Sequence, residues 1–153
     1  EHLKDPDRAI WEVWRVLKPG GCVGLRDAEW DGWVWSHEDV QDAHAHAIRP
    51  FNFTRGSNFH LGKQLGGFLS RAGFGDVGMT ASYEMYNTAL GRAQILRLWE
   101  GWIADPEFAV FHQARGQDVG VLKDQVLAAA RPWAEDPLAF LAQSWFAAWG
   151  WKA

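Results

Sequence analysis

The first 28 residues predict a helix followed directly by a strand, and this succession limits the fold class more than any other feature of the sequence. Asp5 is a suitable N-cap, Pro6 suits the first helical position, and one helical face carries Ile10, Val13, Trp14 and Leu17. Pro19-Gly20-Gly21 ends this helix, and residues 22–28 form a short strand that is apolar at its start. A helix, a tight turn and a strand make the second half of a βαβ unit, so the sequence predicts an α/β protein.

Hydrophobic periodicity and turn residues predict the remaining elements. A weak helix ends before Pro50, a polar loop spans residues 51–58, and a helix from Leu61 is terminated by Gly73. The elements expected after it are a strand over 76–83, a helix over 88–103 ended by Asp105-Pro106, and a helix over 117–131 ended by Pro132. Residues 138–152 fit a helix and a strand almost equally well. Because no repeat or linker interrupts the chain, we expect one domain over 1–153.

Composition excludes several classes of protein. Apolar residues make up 48% of the 153 residues, which is ample for a core, but no apolar run approaches the length of a membrane span. The net charge of -4 argues against a nucleic-acid partner that works through phosphate contacts. No secretory signal opens the sequence, and the single Cys22 excludes an internal disulfide. We therefore expect a cytoplasmic protein without membrane or nucleic-acid partners.

The tryptophan content is unusually high, with eleven tryptophans among 153 residues. Tryptophan is large and is often covered on one edge only, so this number predicts extended apolar walls of a pocket or of an interface.

Three sequence segments carry a family resemblance. The first is His2-Leu3-x-Asp5-Pro6 followed by Glu12-x-x-Arg15-Val16-Leu17-Lys18-Pro19-Gly20-Gly21. The second is Gly62-Lys63-x-Leu65 followed by Arg71-Ala72-Gly73-Phe74-x-Asp76-Val77, and the third is Ala139-Phe140-x-x-x-x-Trp145-x-x-Ala148-x-Gly150-Trp151. Together they resemble class I S-adenosylmethionine (SAM)-dependent methyltransferases. In that family the first segment leads from a helix into the fifth strand, the second into the sixth strand, and the third is similar to the final strand.

The resemblance implies a partial Rossmann-like sheet of about three strands, with flanking helices and a helical cap over 88–131. It also favours a strand for the ambiguous segment after Leu138. The family's glycine-rich loop after its first strand, and the acidic residue that holds the ribose, have no counterpart here. The match is therefore to the C-terminal half of a methyltransferase, without the N-terminal half that binds the cofactor. SAM is the implied cofactor, with His2 beside it, but we expect this chain alone to bind SAM poorly.

Ligands of open α/β sheets bind beyond the carboxyl ends of the strands, which here means the segment of Arg26, Asp27, Glu29, Trp30 and Asp31. Carboxylates suit acid–base work and tryptophans suit pocket walls. The residues expected to bind substrate are Arg26, Asp27, Glu29, Trp30, Trp33 and His60. No catalytic residue is assigned. No metal site is predicted, because Asp39, Asp42 and His46 share a helical face without the spacing of a zinc site.

These observations predict the substrate side of a SAM-dependent methyltransferase that acts on a small molecule. One alternative is a separate module that self-associates or binds an apolar ligand. Another is a hydrolase that uses Ser57, Ser70, Ser82 or Ser144, although none lies in a G-x-S-x-G sequence. We also expect a homodimer, because the strand over 22–28 would present an unpaired edge.

Overall fold

The computed structural model describes residues 2–54, 56 and 58–153. In chain order, its elements are α1 (Pro6–Val16), β1 (Cys22–Ala28), β2 (Val34–Trp35), α2 (Glu38–Ala43), α3 (Arg49–Thr54), α4 (Leu65–Ala72), β3 (Gly75–Tyr86), α5 (Ala89–Ala104), α6 (Pro106–Gln113), α7 (Val119–Glu135) and β4 (Leu141–Trp151). Single 3₁₀ turns cover Trp30–Gly32 and Gly62–Gln64, and a π-helical turn covers His44–Ile48. The predicted α/β class is confirmed.

Two compact units make up the chain. Residues 1–33, 56–84 and 143–153 belong to the first unit, and residues 34–55 and 85–142 belong to the second. The single domain predicted over 1–153 stays a prediction. Within the described ranges, no helix combines the length and the apolar character needed to cross a membrane.

The sheet is small, and β1 and β2 each pair with β4 in the antiparallel direction. In the first unit, β1 lies against β4 with Cys22 opposite Trp151 and Ala28 opposite Trp145, and β3 also pairs with β4. In the second unit, β2 pairs with the first two residues of β4. The strand that the resemblance favoured for the last segment is therefore confirmed, and β4 is the strand with which the other three pair.

A short-range signal begins the first helix as predicted, and a residue distant in the sequence contacts its end. The Asp5 carboxylate accepts a hydrogen bond from the Arg8 backbone N–H at 2.9 Å, which satisfies one of the unpaired donors of the first turn. At the other end of α1, the Lys152 ammonium donates to the carbonyls of Trp14 and Leu17 at 2.7 and 2.8 Å. A cation at this position also interacts favourably with the negative end of the helix dipole. The last residues of the chain therefore stabilise its first helix.

The core of the first unit lies between α1, α4 and one face of the sheet. Its buried members are Ile10, Leu61, Leu65, Phe68, Leu69, Phe74 and Ala148. Gly73 ends α4 with φ 97°, a left-handed conformation that favours glycine, and the chain then enters β3. This turn is the one expected from the sequence Arg71-Ala72-Gly73-Phe74.

The core of the second unit is built from aromatic rings on β2, α5 and α7. Trp99 and Trp133 are fully buried, and each meets the Trp35 ring edge-on at centroid distances of 5.2 and 5.4 Å. Trp99 is thus a core residue, as the helical stripe of α5 indicates.

Two predicted boundaries are wrong, and both involve proline. Pro50 does not follow a helix end but lies in α3, after a π turn in which the Arg49 N–H donates to the His44 carbonyl. A new helical segment begins there, and proline is tolerated in a first turn because its N–H is not needed. Pro132 lies inside α7, which continues to Glu135. Ala129, Ala130 and Trp133 around this proline are buried, and tertiary packing routinely overrides local helix propensity.

The loop predicted over 51–58 is also wrong in its first part, because α3 extends to Thr54 and buries Phe51 and Asn52. Residues 55 and 57 of that loop lie outside the described residues. One helix was not expected: Pro106 begins α6 instead of only ending α5, with the Asp105 carboxylate accepting from the Glu107 N–H at 2.9 Å.

Candidate functional site

The carboxyl end of β1 is held against the segment that precedes α4. The Trp30 N–H donates to the Phe59 carbonyl at 3.0 Å, and the Glu29 N–H donates to the Ser144 carbonyl of β4 at 3.1 Å. Gly62 completes this approach, because a Cβ there would lie only 3.0 Å from the Ala28 carbonyl oxygen. These backbone contacts place residues 59–63 beside residues 29–31 within the first unit.

Four polar side chains meet at this place: Glu29, Asp31, His60 and Lys63, here called the polar cluster. His60 Nδ1 lies 2.8 Å from Glu29 Oε1 and 3.0 Å from Asp31 Oδ2. The Lys63 ammonium lies 3.0 Å from Asp31 Oδ2 and 3.3 Å from Glu29 Oε1. Two carboxylates therefore share one imidazole and one ammonium group.

Burial differs strongly across the polar cluster. Glu29 is only 3% exposed, whereas the side chain of His60 is 24% exposed and that of Lys63 is 49% exposed. The hydrogen bond to Asp31, with a further contribution from Glu29, raises the pKa of Lys63. The cluster therefore presents oxygen and nitrogen atoms at the surface and anchors them on one buried carboxylate. Such a set can accept protons, form hydrogen bonds to a polar ligand or coordinate a cation.

The tryptophans predicted to form pocket walls differ in their exposure. Trp30 is 6% exposed and stacks on Phe59 with ring centroids 3.8 Å apart, whereas Trp33 is partly exposed and lies 4.5 Å from Trp30. Trp30 therefore belongs to the interior of the first unit. Trp33 is the ring of this pair that offers more of its surface.

The other predicted site residues make contacts of their own. The Arg26 guanidinium lies over the Trp145 ring, 4.0 Å from its centroid, which is a cation–π contact. Asp27 accepts from the Ala28 N–H at 2.8 Å. His2 is exposed ahead of α1. The structure thus brings Glu29 and His60 into contact, whereas the Arg26 side chain lies against the Trp145 ring of β4.

Two residues near this place, Phe59 and Lys63, were not predicted to belong to the site. Asp31 lies in the segment after the first strand that was expected to bind a ligand, although it was not among the six residues expected to bind substrate. Asp31 follows Glu29 by two residues in the same turn, and Lys63 lies in the quoted sequence Gly62-Lys63-x-Leu65. Nothing in the periodicity indicates that residues 59–63 return to β1.

The remaining sequence-based candidates lie elsewhere. Asp39, Asp42 and His46 line one groove of about 320 Å³ in the second unit, so their predicted common face is confirmed. Ser144 donates its hydroxyl to the Glu29 carbonyl, and Ser57 lies outside the described residues. The hydrolase alternative therefore stays a prediction.

Comparison with known proteins shows limited similarity in sequence and structure. No family model matches the chain. An uncharacterized 37.1 kDa protein in transposon TN4556 of Streptomyces fradiae is 28% identical over 98 residues, which are 64% of this chain and 28% of that protein. A solved structure of phosphoethanolamine N-methyltransferase 2 from Haemonchus contortus, in complex with phosphomonomethylethanolamine and S-adenosylhomocysteine, has a TM-score of 0.43 and 16% identity. It covers 99% of this chain and 31% of the solved chain, so this chain spans less than a third of either protein.

Proposed function

We propose that this chain forms the substrate side of a SAM-dependent methyltransferase that acts on a small molecule. The observation that carries the proposal is the position of the polar cluster directly after β1, the strand that follows the Leu17-Lys18-Pro19-Gly20-Gly21 turn. In the open α/β sheet that the resemblance implies, ligands bind beyond the carboxyl ends of the strands, and the cluster supplies polar groups for such a ligand.

The local structure at the three quoted segments supports this proposal. Each segment has the structure that the resemblance implies: a helix that turns into β1, a helix that ends at Gly73 before β3, and a final strand. In methyl transfer, the protein mainly positions a nucleophile against the sulfonium methyl group, and removal of the nucleophile's proton assists the step. Glu29 and His60 are the groups proposed to hold the polar end of the methyl acceptor.

The supply of SAM belongs to the same proposal. Glycine-rich loops let backbone N–H groups approach a cofactor closely, and the two Gly-Gly pairs of this sequence are placed differently. Gly20-Gly21 follows a helix, and Gly66-Gly67 lies within α4. We propose that the residues that hold SAM are outside these 153 residues.

The test is to express the complete reading frame that encodes this chain, whatever its length, beside the 153-residue chain alone. Calorimetry with S-adenosylhomocysteine should give about one site per chain for the complete product. The same titration, and one with SAM, should show binding to the 153-residue chain that is at least about 100-fold weaker than binding to the complete product. Methyl transfer from labelled SAM to a metabolite extract should fall in Glu29→Gln and His60→Ala. Exposed Glu84→Gln is the matched control.

Two results would contradict the proposal. One is a complete product that binds neither SAM nor S-adenosylhomocysteine. The other is micromolar binding of SAM, about 8 kcal/mol, to the 153-residue chain at a stoichiometry near one, because the chain would then hold the cofactor itself.

A further inference from the structure

We propose that Glu29, Asp31 and His60 form a binding site for one divalent transition-metal ion. The inference depends on the geometry of these three side chains and not on methyl transfer. In the described part of the chain, they are the group of potential ligands whose donor atoms converge, all lying within 4.8 Å of one another. The groove of Asp39, Asp42 and His46 shows no comparable convergence among the described residues.

The distances suit a single ion. Ligands at right angles around an ion, with bonds of about 2.1 Å, are about 3.0 Å apart, and tetrahedral ligands are about 3.4 Å apart. His60 Nδ1 lies 2.8 Å from Glu29 Oε1 and 3.0 Å from Asp31 Oδ2. An ion would therefore replace the proton that His60 Nδ1 shares with the carboxylates, after small movements of the side chains.

The surrounding structure holds two of the three ligands in place. Glu29 is buried, and its second oxygen, Oε2, lies 3.4 Å from the Lys63 backbone nitrogen, which donates to it. The His60 carbonyl accepts from the Gln64 side chain at 2.9 Å, and the His60 N–H donates to Asn58 Oδ1 at 3.1 Å. A buried carboxylate, and a His60 backbone that is hydrogen-bonded at both its N–H and its carbonyl, reduce the cost of ordering the ligands on binding.

Ligand chemistry selects the class of ion. Two carboxylates balance a charge of +2, and an imidazole nitrogen favours Mn²⁺, Co²⁺ or Zn²⁺ over Mg²⁺ and Ca²⁺, which prefer oxygen ligands alone. Three protein ligands leave further positions for water or for a polar ligand, the arrangement of catalytic rather than structural sites.

Lys63 is the internal competitor of the ion. Its ammonium bridges the same carboxylate oxygens, Glu29 Oε1 and Asp31 Oδ2, that the ion would take. Its side chain is half exposed, so it can turn into solvent when an ion binds. Removal of this charge in Lys63→Met should therefore tighten metal binding by about tenfold.

The experiment is titration of the purified chain with Co²⁺, Zn²⁺ and Mn²⁺, by calorimetry and by the visible absorption of bound Co²⁺. We expect one site per chain, tighter in Lys63→Met and at least about tenfold weaker in Asp31→Asn and His60→Ala. Asp31 and His60 are not buried in the core, so these variants should fold, which circular dichroism checks. His46→Ala is the matched control and should bind as the wild type does.

The proposal is overturned if neither the wild type nor Lys63→Met binds any of the three ions at millimolar concentration. It is equally overturned if binding survives in Asp31→Asn and His60→Ala. No SAM or methyl acceptor is present in these titrations, so their failure leaves the proposed methyl transfer to its own test.

Discussion

Trp30 is buried in the first unit, and its truncation should destabilise that unit strongly. The ring is 6% exposed and stacks on Phe59 at a centroid distance of 3.8 Å. A tryptophan side chain buries about 150–250 Å², which at about 25 cal/mol per Å² corresponds to about 4–6 kcal/mol as an upper bound. Because truncation of core aromatic residues typically costs about 3–5 kcal/mol, we expect Trp30→Ala to lower the free energy of unfolding by about that amount.

The matched control for this substitution is Trp11→Ala, which removes the same side chain from a residue that is 49% exposed on α1. It should cost about 1 kcal/mol or less. Urea unfolding followed by far-UV circular dichroism measures both variants without using the fluorescence that the substitutions themselves change. At about 2–4 °C per kcal/mol for a chain of this size, Trp30→Ala should also lower Tm by about 6–20 °C. Equal losses of stability in the two variants would refute the assignment of Trp30 to the interior.

Two further predictions concern Gly62 and His44. Gly62→Ala places a Cβ 3.0 Å from the Ala28 carbonyl oxygen and 3.1 Å from the Asp27 carbonyl oxygen, so we expect lower thermal stability and altered His60 chemical shifts. Gly24→Ala is the matched control, because its Cβ meets open space beside β1, and it should leave both the thermal stability and the shifts nearly unchanged. Burial, with the nearby Arg49 charge, lowers the pKa of His44 to about 3. Below pH 6.5 the unfolded chain binds a proton at His44 that the folded chain does not bind. The contribution of His44 to the free energy of unfolding should therefore be constant above pH 6.5 and fall by up to about 1.4 kcal/mol per pH unit between 6.5 and 3. Urea unfolding across this pH range should show a flatter profile in His44→Phe, and identical profiles would contradict the prediction.

Local signals were sufficient for the elements whose ends are set by neighbouring residues. The Asp5 carboxylate bonds three residues ahead, and Gly73 ends α4 through its own backbone conformation, so both ends could be predicted from the sequence. The last segment could not be settled in this way, because residues 138–152 fit both periodicities. Its pairing with β1, more than 110 residues earlier in the chain, makes it a strand, and this contact is tertiary.

The candidate site shows the same division between local and distant information. Glu29 was predicted from its place after β1, and His60 was predicted as a separate residue. Their contact depends on the backbone hydrogen bond from Trp30 to Phe59 and on the close approach of Gly62 to the Ala28 carbonyl. Neither feature produces a periodic pattern in the sequence. The role of Lys63 was missed for this reason, since a lysine at the start of a helix is usually a solvated surface residue.

The homodimer expected from the sequence leads to a final prediction about β1. Among the described strands, β1 pairs with β4 alone, so its other edge presents backbone N–H and carbonyl groups. The exposed residues of β1 are Cys22, Gly24 and Arg26, and of these only Arg26 carries a charge that opposes edge pairing. Two copies of β1 that pair about a twofold axis would satisfy both edges.

Gly24→Lys adds a charge at a position where a Cβ meets open space, so it should disrupt such a dimer without disturbing the fold. Light scattering at micromolar concentration should give twice the chain mass of 17.3 kDa for the wild type and the single mass for Gly24→Lys. Ser82→Lys on the exposed face of β3 is the control and should leave the dimer intact. A wild-type chain that stays at the single mass across a hundredfold range of concentration would refute pairing through β1, because its edge would then be tolerated in water without a second copy.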